Sequence, residues 1–155
     1  MRRGIQLEIP NEWGNHLGEV LEPFDISRFD WYIGGEEAYQ DVEGGEMEPL
    51  FQGETYGMKG RDLDEILNSK RYYIIFGNFK AYPQDASIED VLTYEEFLNS
   101  RCQLIVLVVD CSYVAIYCKD TVMLTHLYRN ALEKGFENVV YITDENDART
   151  RLSVW

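Results

Sequence analysis

The sequence has no lysine or arginine between Arg28 and Lys59. The same stretch holds Asp30, Glu36, Glu37, Asp41, Glu43, Glu46, Glu48 and Glu54. Nucleic acids and anionic membranes are bound through Lys and Arg and the counterions they release. A segment of this sign therefore argues against both as partners. Long apolar runs are also lacking: the most apolar one, residues 104–109, is far short of the roughly 20 residues that span a bilayer. Ile5-Gln6-Leu7-Glu8-Ile9 alternates and meets Pro10, whereas a signal peptide needs an uninterrupted apolar stretch. The expectation is a protein of the cytoplasm.

Cysteine is scarce. Cys102, Cys111 and Cys118 are odd in number and show no CxxC spacing, which makes a poor disulfide framework and a poor zinc site. Buried, reduced thiols are expected. Histidine is scarcer still, with only His16 and His126. A Cys–His nucleophile would require one of them to meet a cysteine in space, and no motif links them. The phosphate loop Gly-x-x-x-x-Gly-Lys-Ser/Thr and the fingerprint Gly-x-Gly-x-x-Gly are both missing. The reading is no metal and no cofactor.

What the chain does have is a core. It has 155 residues, 45% of them hydrophobic and 14% aromatic, with a net charge of −14. That is the size of one domain and not the composition of a disordered segment, so residues 1–155 read as a single globular domain. The acid keeps such a domain soluble and steers basic partners toward it.

Residues 4–9 alternate as a strand. Asn11 then caps a helix over 12–22, with Trp13, Leu17, Val20, Leu21 and Phe24 at helical spacing. Residues 29–33 form a strand broken at Gly34-Gly35. In the glycine- and acid-rich segment that follows, 37–42 and 49–52 pair as a hairpin around Glu43-Gly44-Gly45-Glu46. Asp62 caps a short helix, and residues 71–82 are a strand, β-branched and aromatic. Thr93 and Glu96 make a capping box. Residues 104–109 read as a central strand buried on both faces, followed by a turn at Asp110-Cys111-Ser112 and a strand over 113–118. Asp120 opens the longest helix, whose stripe is Leu124, Leu127, Tyr128, Ala131 and Leu132, and Gly135 closes it. Residues 139–143 form a strand, 144–148 a turn, and 150–154 a short return strand. Strands and helices interleave around at least one hairpin. That pattern predicts an α+β fold: one mixed, largely antiparallel sheet with helices packed mainly on one face, and α/β as the alternative.

Two constellations are candidates for binding. Trp31, Tyr32, Glu36, Glu37 and Tyr39 combine aromatics with the acidic segment. Aromatics of this kind mark interaction surfaces when exposed and core when buried. Trp13, Phe51 and Tyr56 lie in or near the same region. The second is the turn Asp144-Glu145-Asn146-Asp147 with Arg149 behind it. Its clustered oxygens are also ordinary turn chemistry, and the EF-hand spacing is absent. Asp110, at the end of the buried strand, is either a strand-end functional group or a turn residue.

Several segments resemble a family of small proteins from Bacillus-type bacteria, catalogued as a domain of unknown function. They are Arg3-Gly4-Ile5, Ile9-Pro10-Asn11-Glu12, Tyr73-Ile74-Ile75-Phe76, Tyr94-Glu95-Glu96-Phe97-Leu98 and Tyr141-Ile142-Thr143-Asp144-Glu145-Asn146-Asp147. The resemblance covers nearly the whole chain. It implies a bacterial, cytoplasmic, one-domain protein and carries over no activity, ligand or catalytic residue.

Two functions stay open at this point. One is a non-catalytic domain that binds a basic protein or peptide through its acidic, aromatic segment. The other is a small enzyme or ligand-binding domain with a carboxylate-lined pocket at strand ends. There Asp110 or the 144–147 turn would supply the carboxylates, and Arg149 would hold an anion.

Overall fold

A computed structural model describes residues 1–42, 45–52 and 57–154. The apolar run Leu104–Val109 lies inside the sheet, and its alternation splits the core in two. Leu104, Val106 and Val108 face one hydrophobic cluster, whereas Ile105 and Leu107 face another. A strand buried on both faces needs a layer on each side, and the chain supplies two unequal ones.

In chain order the elements are β1 (Arg2–Glu8), α1 (His16–Val20), a 3₁₀ turn (Ile26–Arg28), β2 (Phe29–Asp41), β3 (Met47–Pro49), β4 (Met58–Lys59), α2 (Gly60–Ser69), β5 (Tyr72–Pro83), α3 (Tyr94–Asn99), β6 (Leu104–Val109), β7 (Tyr113–Cys118), α4 (Thr121–Glu133) and β8 (Glu137–Thr143). The strand order is β3-β2-β5-β6-β7-β1-β8, with β4 also paired to β2. The pairings among the described strands are all antiparallel. The fold is therefore α+β, and the expected mixture of strand directions resolves to antiparallel pairing. Leu17 of α1, Leu63 and Leu67 of α2, and Leu124 and Leu127 of α4 cover one face. Among the described residues, the other face carries one helix, the six-residue α3, through Phe97, together with irregular chain that includes Val91 and Leu152.

The strand–helix junctions follow local chemistry. Thr93 Oγ1 accepts the Glu96 amide at 3.1 Å, and Glu96 reaches back to the Leu92 amide at 2.7 Å, one residue beyond the expected box. Asp120 accepts the amides of Val122 and Met123, opening α4. Gly135, at φ 78°, closes α4 with the Phe136 amide on Ala131 O and its own amide on Leu132 O. Leu132 itself is exposed rather than part of the buried stripe.

Four local expectations are corrected. The helix expected over 12–22 is only His16–Val20, because Gly14 instead forms a backbone bridge with Tyr72, N–O 2.9 and 3.1 Å. The strand expected to break at Gly34-Gly35 runs on to Asp41. The glycines absorb an extra residue: Gly34 faces Asn78 and the next pair is Glu37 with Phe76, with Gly35 at φ 57°. Asp62 lies in the first turn of α2 rather than capping it, since the helix starts at Gly60. A Cβ on Gly60 would stand 2.3 Å from the carbonyl oxygens of Ile26 and Phe29, so α2 approaches the 3₁₀ turn only through glycine. Finally, residues 150–154 form no strand. Leu152 docks singly, with its amide on Leu92 O at 2.9 Å.

The expected hairpin is present, with its second strand earlier than predicted. Tyr39 faces Pro49, Gln40 faces Glu48 and Asp41 faces Met47. Glu43 and Gly44 of its turn lie outside the described residues, as do Gly53, Glu54 and Tyr56. Both edges of the sheet are blunted against strand addition. β3 is short and carries Glu48 and Pro49. On β8, Asn146 occupies backbone groups: its side chain accepts the Thr143 amide at 2.7 Å and donates to Tyr141 O at 3.0 Å.

Candidate functional site

Trp31, one of the candidate binding aromatics, is a core residue. It is fully buried, donates its indole N–H to Ile26 O at 3.0 Å, and meets Phe24 edge to face. Strand alternation sends Tyr32 to the other face of the sheet. There it is half-buried against the second cluster, with the Lys80 ammonium 5.8 Å from its ring. Phe51 is buried against Phe79.

Further along β2, past the bulge that reverses the alternation, Ala38 lies in the core and Tyr39 on the opposite face. Tyr39 lies directly across from Pro49 on β3 and from Tyr73 on β5. The Tyr73 ring meets Trp13, centroids 5.8 Å apart. Pro49, Tyr39, Tyr73 and Trp13 thus form a row across β3, β2 and β5 to the loop before α1. Pro49 is exposed and the three aromatics are half-buried. Carboxylates flank the row. The Tyr39 hydroxyl donates to Glu37 at 3.5 Å, and Asp41 pairs with Arg71 at 3.3 Å. Glu46 and Glu48 are exposed on the hairpin, Met47 is 60% exposed, and Glu36 is half-buried. The Tyr73 hydroxyl donates to Asn11, and its pKa is raised, first by the hydrogen bond with Cys111, so the phenol stays neutral.

The turn at 144–149 is a structural knot. Arg3 donates to Asp144 at 2.8 Å and to Asp147 at 3.2 Å, and its guanidinium stacks 4.1 Å over Tyr94. Asp147, whose side chain is 5% exposed, also accepts the Tyr117 hydroxyl at 3.1 Å and the Arg149 amide at 3.2 Å. Arg3 holds Asp144 below the usual carboxylate range, and burial pushes the Tyr117 phenol up. These carboxylates spend their oxygens on neighbouring side chains. Arg149 points its guanidinium at Ser153 O, 3.2 Å away, beside a shallow cleft of about 210 Å³ lined by Gln6, Glu8, Tyr113 and Asn138. Glu145 is exposed. Asp110 is an exposed turn residue at φ 50°, followed by Cys111 at φ 70°. Among the described residues no group of three or more His, Cys, Asp or Glu is placed to hold a metal ion.

One cysteine does share a cleft with a histidine. Cys111 and His16 line the same cleft, with Tyr73 and Glu12, but its volume is about 10 Å³. That is room for about one water and none for a substrate. His16 lies instead beside two acids, Nε2 3.2 Å from Glu12 and Nδ1 3.9 Å from Glu19. Burial pushes the Cys102 thiol up to about 12 and the Cys118 thiol up to about 11, so neither is a nucleophile near neutrality.

The partly exposed row and its acids are thus the described surface that best combines recognition chemistry with access. Tyr73, Pro49 and Met47 were not singled out in the sequence. Tyr73 sits between the core residues Tyr72 and Ile74, and only the register of β5 against β2 places it beside Tyr39.

The chain belongs to a family of proteins of unknown function, DUF2691, which it matches over residues 2–153. It is similar to the uncharacterized protein YncE of Bacillus subtilis strain 168, at 44% identity over 155 residues, covering 99% of this chain and 100% of that protein. No solved structure matches it. Among the described residues no helix is long and apolar enough to cross a membrane.

Proposed function

We propose that this is a non-catalytic binding protein of the cytoplasm that takes a basic protein or peptide on the row Pro49–Tyr39–Tyr73–Trp13. The observation that carries the reading is the register: it aligns three partly exposed aromatics across two strands and a loop, with Glu37 and Asp41 flanking Tyr39. Aromatic faces attract ammonium and guanidinium groups, and Tyr and Trp are the common anchors of protein interfaces. The surrounding acid adds long-range attraction for a basic surface. Three free thiols fit a reducing compartment.

The test is affinity capture from bacterial lysate at low and high salt, with wild type, Glu37→Lys and Tyr39→Ala as parallel baits. A basic protein should be enriched by wild type at low salt, lost at high salt, and lost with both variants. Equal capture by the three baits, or capture that ignores salt, overturns the reading.

A further inference from the structure

At the opposite end of β2, roughly 30 Å from Tyr39 at ~3.3 Å per residue, the sheet opens into a groove of about 620 Å³ between the 3₁₀ turn and the start of α4. That lies within the roughly 300–1,000 Å³ of small-molecule sites. Phe24, Phe29, Pro83, Cys118 and Met123 supply its apolar surface. Phe24 and Phe29 stack on each other at 4.7 Å with their planes 22° apart, forming an aromatic side to the groove.

The charges around the groove are already compensated. Asp25 accepts the Ser27 hydroxyl at 2.6 Å and lies 3.8 Å from Arg28. Asp85 pairs with Arg101 at 2.9 Å. Asp120 is engaged by the first amides of α4, which removes that helix end as an anion site. A charged ligand would therefore lose hydration without gaining an uncompensated partner. The neutral polar group is Gln103. Its amide N–H donates to Arg101 O at 2.9 Å, and its amide oxygen is an acceptor.

We infer that this groove binds a small, flat, uncharged aromatic molecule, with its ring against Phe24, Phe29 and Met123 and an N–H or O–H directed to Gln103. The occupant is a small molecule and not a basic partner, so the inference stands or falls independently of the proposed function.

The probe is indole, flat and neutral with one N–H, compared with tryptamine and indole-3-acetate as its cationic and anionic counterparts. The readout is the methyl resonance of each of the 4 methionines in the intact chain. Indole should shift Met123 saturably and leave Met1, Met47 and Met58 in place. Both charged analogues should bind about tenfold more weakly or worse, given their desolvation. Gln103→Leu, at a half-buried polar position, should weaken indole about two- to tenfold, the range of one hydrogen bond, and Met123→Arg should abolish binding. The inference is overturned by an absent or non-saturating Met123 shift, by equal shifts at all methionines, by tighter binding of a charged analogue, or by unchanged binding to Gln103→Leu. The last variant keeps the test valid even if Met123→Arg disturbs folding.

Discussion

The ammonium of Lys80, on a fully buried side chain in β5, donates to the carbonyl of Leu152 at 2.8 Å, across 72 residues of sequence. Its other donors go to Val91 O at 2.6 Å and to the Asp90 carboxylate. One lysine therefore ties the sheet to the two irregular segments that cover its helix-poor face. Burial pulls its pKa below the ordinary value, and Asp90 pulls it back up. Replacing it with a methionine of similar length keeps the apolar stem and strands two buried carbonyls and a carboxylate. Removing one partner of such a group costs about 2–4 kcal/mol. Lys80→Met should lower the melting temperature by roughly 5–15 °C on the scale for a domain of this size. The C-terminal residues should also become the first site of proteolysis. A calorimetric trace within a degree of wild type would mean that Lys80 does not tie these segments to the sheet.

The two arginines at the other end of that face should behave differently. Arg3 serves Asp144, the nearly buried Asp147 and the ring of Tyr94, whereas Arg149 reaches one exposed carbonyl. Arg3→Met leaves Asp147 and Tyr117 sharing a buried charge, so urea denaturation should show a loss of about 2–3 kcal/mol. Arg149→Met should lie within about 0.5 kcal/mol of wild type. Equal effects would mean that the network around Asp147 contributes nothing beyond its surface charges.

Strand identity was legible wherever the chemistry is local. The run 104–109, the caps at Thr93 and Asp120 and the Gly135 stop are each written in a few adjacent residues. Long-range pairing overrode the local signals. Gly34-Gly35 reads as a break, but β5 continues alongside and converts it to a bulge. Trp13 and Leu17 read as one helix, but Tyr72 captures the Gly14 backbone first. The candidate site divides the same way. Asp144, Asp147 and Arg149 were visible as a cluster, yet Arg3, the partner of the two carboxylates, lies some 140 residues away and could not be inferred from spacing. Trp31 and Tyr39 looked equivalent in an acidic segment, and only the bulge between them and the pairing with β5 send one to the core and the other to the surface.

The thiols give a direct probe of the core. Cys102 and Cys118 are buried, and Cys111 is half-buried in the β6–β7 turn. With a disulfide reagent at neutral pH, the folded protein should react at one thiol per chain, and mass spectrometry should find the adduct on Cys111. Strong denaturant should release all three. Rapid reaction of Cys102 in the folded state would contradict the packing of the second hydrophobic cluster.

Stability should fall in alkali, and the sign follows from burial. Cys102 is raised from 9.0 to about 12 and Cys118 from 9.0 to about 11, with desolvation the leading cause in both. Tyr72, Tyr82 and Tyr117 are also pushed up, again by burial first. For each of these acids the unfolded chain loses its proton near pH 9 or 10 while the folded chain keeps it. The folded state then binds more protons, so stability declines as pH rises through that window, by up to about 1.4 kcal/mol per pH unit for each ionising group. Lys80 works the other way, because its folded-state pKa is lowered and its unfolded form holds the proton longer. Lys119 is lowered as well and Tyr73 and Tyr94 are raised, so two lysines oppose seven acids, and the net slope is downward. Urea unfolding at pH 7.5, 9.5 and 10.5 should therefore show a plateau followed by a steep loss. Cys102→Ala, although less stable at pH 7.5, should show a shallower fall between pH 9 and 10.5 than wild type. Identical slopes for the two proteins would mean that the Cys102 thiol is not held protonated by the fold.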